Sequence, residues 1–263
     1  VRTSYESKPY RRMLMDLYGG RCYSSPTMDT KAGRAMNEKF PGTTGSLGMA
    51  ISEAVEVALE DEKTHYTLGS VLNHVMLHQT IIGEETLLQL KKFGEDQADY
   101  VFGCAGGGSN LAGLSFPFIR ELIAGNCTTK IVAVEPASCP SMTEGEFRYD
   151  YGDVAHTTPL MKMYTMGADF VPDPIHAGGL RYHGMAPMVS HAHHLGLLQS
   201  IALPQETTFK AGRLMARTEG IVPAPESTHA LAGALLEARK HQGTPGSGPS
   251  TVSYTHLTLP TKA

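Results

Sequence analysis

Apolar residues recur along this chain with two different spacings. Leu47, Ile51, Ala54, Val55 and Ala58 fall three or four positions apart, which predicts a helix over 47–60. Helical segments are likewise expected over 4–17, 28–40, 205–219 and 227–239. Lys8-Pro9 lies near the start of the first of these, and Gly19-Gly20 closes it. Asp29 or Thr30 opens the second, and Glu226-Ser227 the last. Val71, Val75, Leu77, Ile81 and Ile82 run on into 84–93 and predict one continuous amphipathic helix, stopped at Gly94. The other pattern is the short unbroken apolar run. Residues 100–102 and 130–135 have it, as strands buried on both faces do. Residues 21–23 read as a short strand and 66–70 as extended chain. Residues 136–190, dense in Gly, Pro, Tyr and His, read as loop.

Strand 100–102, a glycine-rich turn, helix 111–124 and strand 130–135 make a βαβ unit, which sets the class as α/β. Composition agrees with a folded enzyme-like chain: 263 residues, 41% hydrophobic and 18% charged. A net charge of −4 argues against a nucleic-acid partner. The charge is uneven, +4 over residues 1–40 and −8 over the rest, and the basic start reads as a solvated helix face or an anion funnel. Four cysteines, 82, 23 and 12 positions apart, make neither a disulfide nor a metal framework. No stretch of about 18 apolar residues and no signal-peptide pattern occurs, so the expectation is a cytoplasmic protein with no membrane span. Val1 reads as a start inside a longer fold. Residues 241–263 read as a linker-like stretch followed by a tail of non-native character, set aside from fold reasoning.

The chemistry concentrates at Gly103-Cys104-Ala105-Gly106-Gly107-Gly108-Ser109-Asn110. Between a buried strand and a helix, glycines let the main chain approach a ligand closely, and the helix N-terminus offers free N–H groups and a positive dipole end. Ser109 and Asn110 add side-chain donors or a cap. The expected ligand group is a phosphate; the alternative is a tight strand-to-helix turn with no ligand. The loop lacks the Gly-Lys-Ser/Thr ending of a nucleotide P-loop and is not a clean G-x-G-x-x-G, although Glu135 after the next strand could stand in for the ribose-binding acid of a dinucleotide fold. Twelve histidines include a cluster at His191, His193 and His194, but without a metal-binding spacing no metal site is assigned.

The strings LGSVLNHVMLHQTIIGEE, GCAGGGSNLAGLSFPFI, AVEPASCPSMTEGEFRYDYGD, PIHAGGLRYHGMAP and ARTEGIVPAPESTHA resemble the tryptophan synthase β chain family, in its second, diverged type. The resemblance covers residues 1 to about 240 and places the chain among fold-type II pyridoxal-phosphate enzymes. It implies two three-layer α/β/α domains with the N-terminal one incomplete: 1–70 as part of a mobile N-terminal domain and 71–240 as the cofactor-phosphate domain. It implies pyridoxal 5'-phosphate as cofactor, and a reaction that condenses L-serine with indole into L-tryptophan by β-elimination and β-replacement. Gly106, Gly107, Gly108, Ser109 and Asn110 would hold the cofactor phosphate, Glu226 would lie beside the cofactor ring, and Ser70 would line the site. The resemblance also implies a homodimer. Arg181 stands where the main type carries an Asp, which leaves partnership with an α subunit open. A Gly-Ser-His-Lys segment with the Schiff-base lysine does not occur in the chain, and Ser7-Lys8 lacks its histidine, so no catalytic lysine is assigned and the chain alone is expected to be inactive. Other fold-type II enzymes, such as serine or threonine dehydratases and threonine synthases, and a non-catalytic phosphate- or nucleotide-binding domain, are the competing readings.

Overall fold

The computed structural model describes residues 1–241 and 250–253. The chain opens with α1 (Arg2–Ser7), α2 (Pro9–Leu17), α3 (Lys31–Lys39) and α4 (Leu47–Glu60), then α5 (Asn73–Gln79) and α6 (Ile81–Lys92). Next come β1 (Tyr100–Cys104), α7 (Ser109–Ile123) and β2 (Lys130–Pro136). A hairpin of β3 (Glu146–Tyr151) and β4 (Leu160–Thr165) leads to a 3-10 turn, Gly178–Leu180, and α8 (Pro187–His194). The chain continues through β5 (Gln199–Leu203), α9 (Gln205–Thr218), α10 (Ser227–Arg239) and β6 (Thr251–Ser253).

Four strands form a parallel sheet in the order β5-β2-β1-β6, with Val101 beside Ile131 and Val252. Side chains alternate along it. Val101, Ile131 and Ala133 point to one face and pack with Leu111, Leu114 and Phe118 of α7. Phe102, Cys104, Val132 and Val134 point to the other and pack with Ala230 and Ala234 of α10. Burial on both faces is why these strands have no polar alternation. The layering is α/β/α, and both α7 and α10 start at the end of the sheet where β1 and β2 finish.

Helix 47–60 lies where the apolar spacing put it, capped by the Ser46 hydroxyl accepting from the Met49 N–H at 3.2 Å. Thr30, not Asp29, caps α3, through its hydroxyl and the Gly33 N–H. Segment 4–17 is two helices, because Pro9 has no N–H to donate to a continuing helix and instead occupies the first position of a new one. Segment 71–93 also divides, at Thr80, where the Gln79 main chain packs onto Gly113 of α7. Residues 21–23 form no strand. The region 136–190 holds the β3–β4 hairpin; Glu-Phe-Arg-Tyr-Asp-Tyr has one buried position in six, so its strand character carried no apolar signal. Thr251–Ser253 adds a strand beside β1, within the stretch set aside as tail; residues 242–249 and 254–263 lie outside the described residues.

Two buried carboxylates fix the helical first part, Glu53 within it and Asp153 against the rest of the chain. Glu53 of α4 accepts from the Ser25 hydroxyl, from the Thr27 N–H at 2.9 Å and hydroxyl at 2.7 Å, and from the Thr30 hydroxyl at 2.7 Å. Asp153, fully buried after β3, accepts from the Ser52 hydroxyl of α4 at 2.7 Å and from Thr157 and Thr158. Desolvation pushes both pKa values up, but these hydrogen bonds together outweigh it and leave both below their ordinary values of 4.5 and 3.8. Stability from a depressed carboxyl is present above its unfolded value and is lost as pH falls through the folded one. Thermal midpoints should therefore fall steeply as pH drops below 4.5 and 3.8, and Glu53→Gln should flatten that slope; an unchanged slope in Glu53→Gln would refute the assignment.

Candidate functional site

Beyond Cys104 the chain turns through residues 105–108 and enters α7. Gly108, the residue before the helix, has φ +106°, which a side chain would strain, and no side chain caps the helix. The first amides of α7 are thus available to an incoming anion. Three segments converge on this loop. The Gly107 carbonyl accepts from the Ala186 N–H at 3.0 Å. A Cβ on Gly106 would come within 2.6 Å of the Gly179 carbonyl oxygen and 2.8 Å of Leu180 Cα. A Cβ on Gly107 would land on the Ser70 hydroxyl and lie 3.2 Å from Val71 Cγ1. The glycines are therefore required by close approach, and Ser70 stands against the middle of the triplet.

Asn110 donates from its amide to Cys104 Sγ at 3.3 Å, and Ser109 lies near the Gln79 amide at 3.4 Å. Burial, with the charge of Glu226 nearby, pushes the Cys104 thiol up to about 12, so it packs as a small apolar residue and is no nucleophile. Glu226 precedes α10, and its carboxylate accepts from the Gly179 N–H at 3.0 Å. The turn 178–180 is thus clasped between Gly106 on one side and Glu226 on the other. The residues predicted for the site, Ser70, 106–110 and Glu226, are brought together by these contacts.

The sequence reading passed over His229, one turn into α10. It is 1% exposed; its Nδ1 lies 3.0 Å from the Pro225 carbonyl and 3.2 Å from that of Glu226. Two carbonyl acceptors place the proton on Nδ1, which leaves Nε2 as a buried acceptor without a hydrogen-bond partner. Desolvation holds its pKa below the usual histidine value despite those carbonyls, so the ring is neutral. Its signal was the position three residues after Glu226, on the same helix face. Arg181, 5% exposed, donates to the Pro172 carbonyl at 2.7 Å, and its Nε has no acceptor. Lys8 donates to the His176 carbonyl at 2.9 Å, beside Gly178. Burial, then the charge of Arg11, lowers its pKa.

Glu135 is corrected. It is fully buried, and Ser141, the Met142 N–H and Thr143 surround it, so it braces the β2 end and cannot reach a ribose. The histidines of α8 diverge: His193 meets the Leu198 carbonyl while His194 stacks on Phe147. Among the described residues no group of three or more His, Cys, Asp or Glu is placed to hold a metal ion. No helix among them is long and apolar enough to cross a membrane.

An uncapped helix N-terminus, a glycine cradle and a carboxylate on the far side of one shared turn suit a phosphate ester that carries a basic ring. The family model described as pyridoxal-phosphate dependent enzyme matches residues 2–253. The chain belongs to that family. Pyridoxal-phosphate dependent relatives include tryptophan synthase beta chain 2 of Methanothermobacter thermautotrophicus, 52% identical over 240 residues, covering 91% of this chain and 56% of that one. The beta chain of Fervidobacterium nodosum is 54% identical over 240 residues, with the same coverage of 91% and 56%. The chain thus spans about half the length of the curated relatives it matches. Among solved structures, a T.th. threonine deaminase aligns with a TM-score of 0.53 at 23% identity, over 76% of this chain and 58% of that one. Threonine deaminase isoform 2 of Solanum lycopersicum aligns at 0.56 and 20%, over 79% and 52%. These likenesses are of fold alone, and the fold is the fold-type II architecture of pyridoxal-phosphate enzymes.

Proposed function

We propose that this chain is the cofactor-phosphate part of a tryptophan synthase β chain that joins L-serine and indole into L-tryptophan. The observation that carries the reading is the open N-terminus of α7 behind three close-packed glycines, in a chain more than half identical to proteins of that name. Residues 106–110 would hold the phosphate through their amides and the α7 dipole, with the side chains of Ser70, Ser109 and Asn110 as further donors. Glu226, fixed by the Gly179 N–H, would lie beside the ring and orient it. The cofactor supplies an electron sink for the substrate Cα. Buried, neutral His229 stiffens the turn that carries Glu226 by holding two of its carbonyls. Residues 1–70 form part of the mobile domain and 71–240 the cofactor domain, in a cytoplasmic homodimer; an α-subunit partner stays open.

Schiff-base chemistry needs a lysine within reach of the cofactor aldehyde. Lys8, the lysine beside the 178–180 turn, spends a hydrogen of its ammonium on the His176 carbonyl and lies behind Gly178. The 263-residue chain is therefore expected to bind pyridoxine 5'-phosphate, which has no aldehyde, with one site per chain in a calorimetric titration. Given pyridoxal 5'-phosphate, L-serine and indole, it is expected to form no tryptophan. Borohydride fixation of one lysine at full stoichiometry, together with turnover, would refute the inactivity. A chain extended to the relatives' length should make tryptophan, and failure to do so with cofactor bound would sink the functional reading.

A further inference from the structure

Ser70, which stands against Gly107, is followed by an unusual turn. Val71 has φ +59°, and the Leu72 N–H donates to the Ser70 carbonyl, two residues back, at 2.8 Å. A bond across one residue with positive φ is a γ-turn of the rare, strained form. Valine is among the residues least suited to it, because its branched Cβ crowds the main chain in the left-handed region. His156 has the same φ of 59°, but it is exposed and of a type that visits this region more readily. Val71 is 4% exposed and packs in the core with Met76, Ala105, Leu111, Met185 and Ala186. Such a conformation persists only where the surroundings over-determine it, and strain of this kind gathers at functional sites. Here the surroundings are the phosphate loop itself: Val71 and Ser70 both abut Gly107.

We propose that Val71 is a positioning residue for the phosphate cradle, its strained γ-turn fixing the Ser70 hydroxyl against Gly107. A relaxed turn would rotate the Ser70–Val71 peptide and carry the hydroxyl away from the loop, while the amides of α7 stayed in place. Val71 thus acts through Ser70, and its effect exists only while Ser70 has a hydroxyl. This rests on the reading that residues 106–110 receive a phosphate ester.

The test is a double-mutant cycle on the 263-residue chain, read by the affinity for pyridoxine 5'-phosphate and by thermal melting. Ser70→Ala should weaken binding, and Val71→Gly, which frees φ, should weaken it about fivefold. The double variant should bind no more weakly than Ser70→Ala alone. Val71→Gly should melt no lower than Val71→Ala, because glycine relieves the positive φ that alanine retains. The proposal is overturned if Val71→Gly binds like wild type, if its loss adds in full to that of Ser70→Ala, or if it melts below Val71→Ala. Absence of binding by the wild-type chain would remove the phosphate reading as well; wild-type binding with an unaffected Val71→Gly would remove this inference alone.

Discussion

Replacing Gly106 by alanine is expected to abolish saturable binding of pyridoxine 5'-phosphate and to destabilise the chain by about 1–3 kcal/mol, as overpacking does. The new methyl group would meet the Gly179 carbonyl oxygen at 2.6 Å and Leu180 Cα at 2.8 Å. Both are main-chain atoms, so no side-chain rotation relieves the clash, and the 178–180 turn has to move. That turn also gives its Gly179 N–H to Glu226, so damage at the phosphate end should reach the carboxylate. Gly69→Ala is the control: a Cβ there has no neighbour within 4 Å, although the residue precedes Ser70. Calorimetry and urea unfolding of the two variants check the expectation. Wild-type affinity in Gly106→Ala would mean that the turn yields freely, and the cradle as described would fail.

The second large effect is expected at Glu53, remote from that loop. Glu53→Ala should cost about 3 kcal/mol in urea unfolding, since buried donors left without an acceptor lose about 1–3 kcal/mol each and hydroxyls recover part of this by rotating. The donors are Ser25, the Thr27 N–H and hydroxyl, and Thr30, whose hydroxyl also caps α3. One carboxylate thereby holds the 25–30 turn and the start of α3 against α4. Lys31→Ala, which breaks the exposed pair with Glu60 on the same two helices, should leave stability unchanged. Equal losses in both variants would show that the buried network is worth no more than a surface pair.

What could be read in advance depended on how locally each feature is encoded. Helices 47–60 and 227–239 were legible to the residue, the first from its regular apolar spacing and the second from Glu226-Ser227 at its start. The parallel strands β1 and β2 were legible as apolar runs, and the loop between β1 and α7 announced itself by its glycines. The β3–β4 hairpin was not, because Arg148, Tyr149 and Glu146 face solvent and the hairpin is held by cross-strand pairing, which no single segment displays. The break at Thr80 lies where Gln79 packs closely on Gly113 of α7, a partner distant in sequence. In the site, the residues of 106–110 followed from their own spacing. Glu226 and Ser70 were named from a resemblance, since their approach to the loop, through the Gly179 N–H and against Gly107, joins segments distant in sequence. Arg181 and Lys8 were noted in the sequence for other reasons, and His229 only follows Glu226 by three positions; the unpartnered Nε atoms of Arg181 and His229 and the bond from Lys8 to the His176 carbonyl are properties of the folded chain.

The two helices that begin beside the site have opposite electrical ends. Neither helix has a side-chain cap, but α7 starts at a glycine, whereas α10 starts at Glu226, whose carboxylate accepts from the Gly179 N–H. Each helix brings roughly half a positive charge to its N-terminus, and only the second begins at a residue that itself carries a negative charge. On the proposed reading, a molecule with one anionic and one protonatable end is expected to settle across the 178–180 turn with its anionic end at α7. Orientation is chosen by this difference in polarity before any shape is compared, so exchanging the charge at position 226, as in Glu226→Lys, would turn a keyed socket into one that attracts anions at both ends.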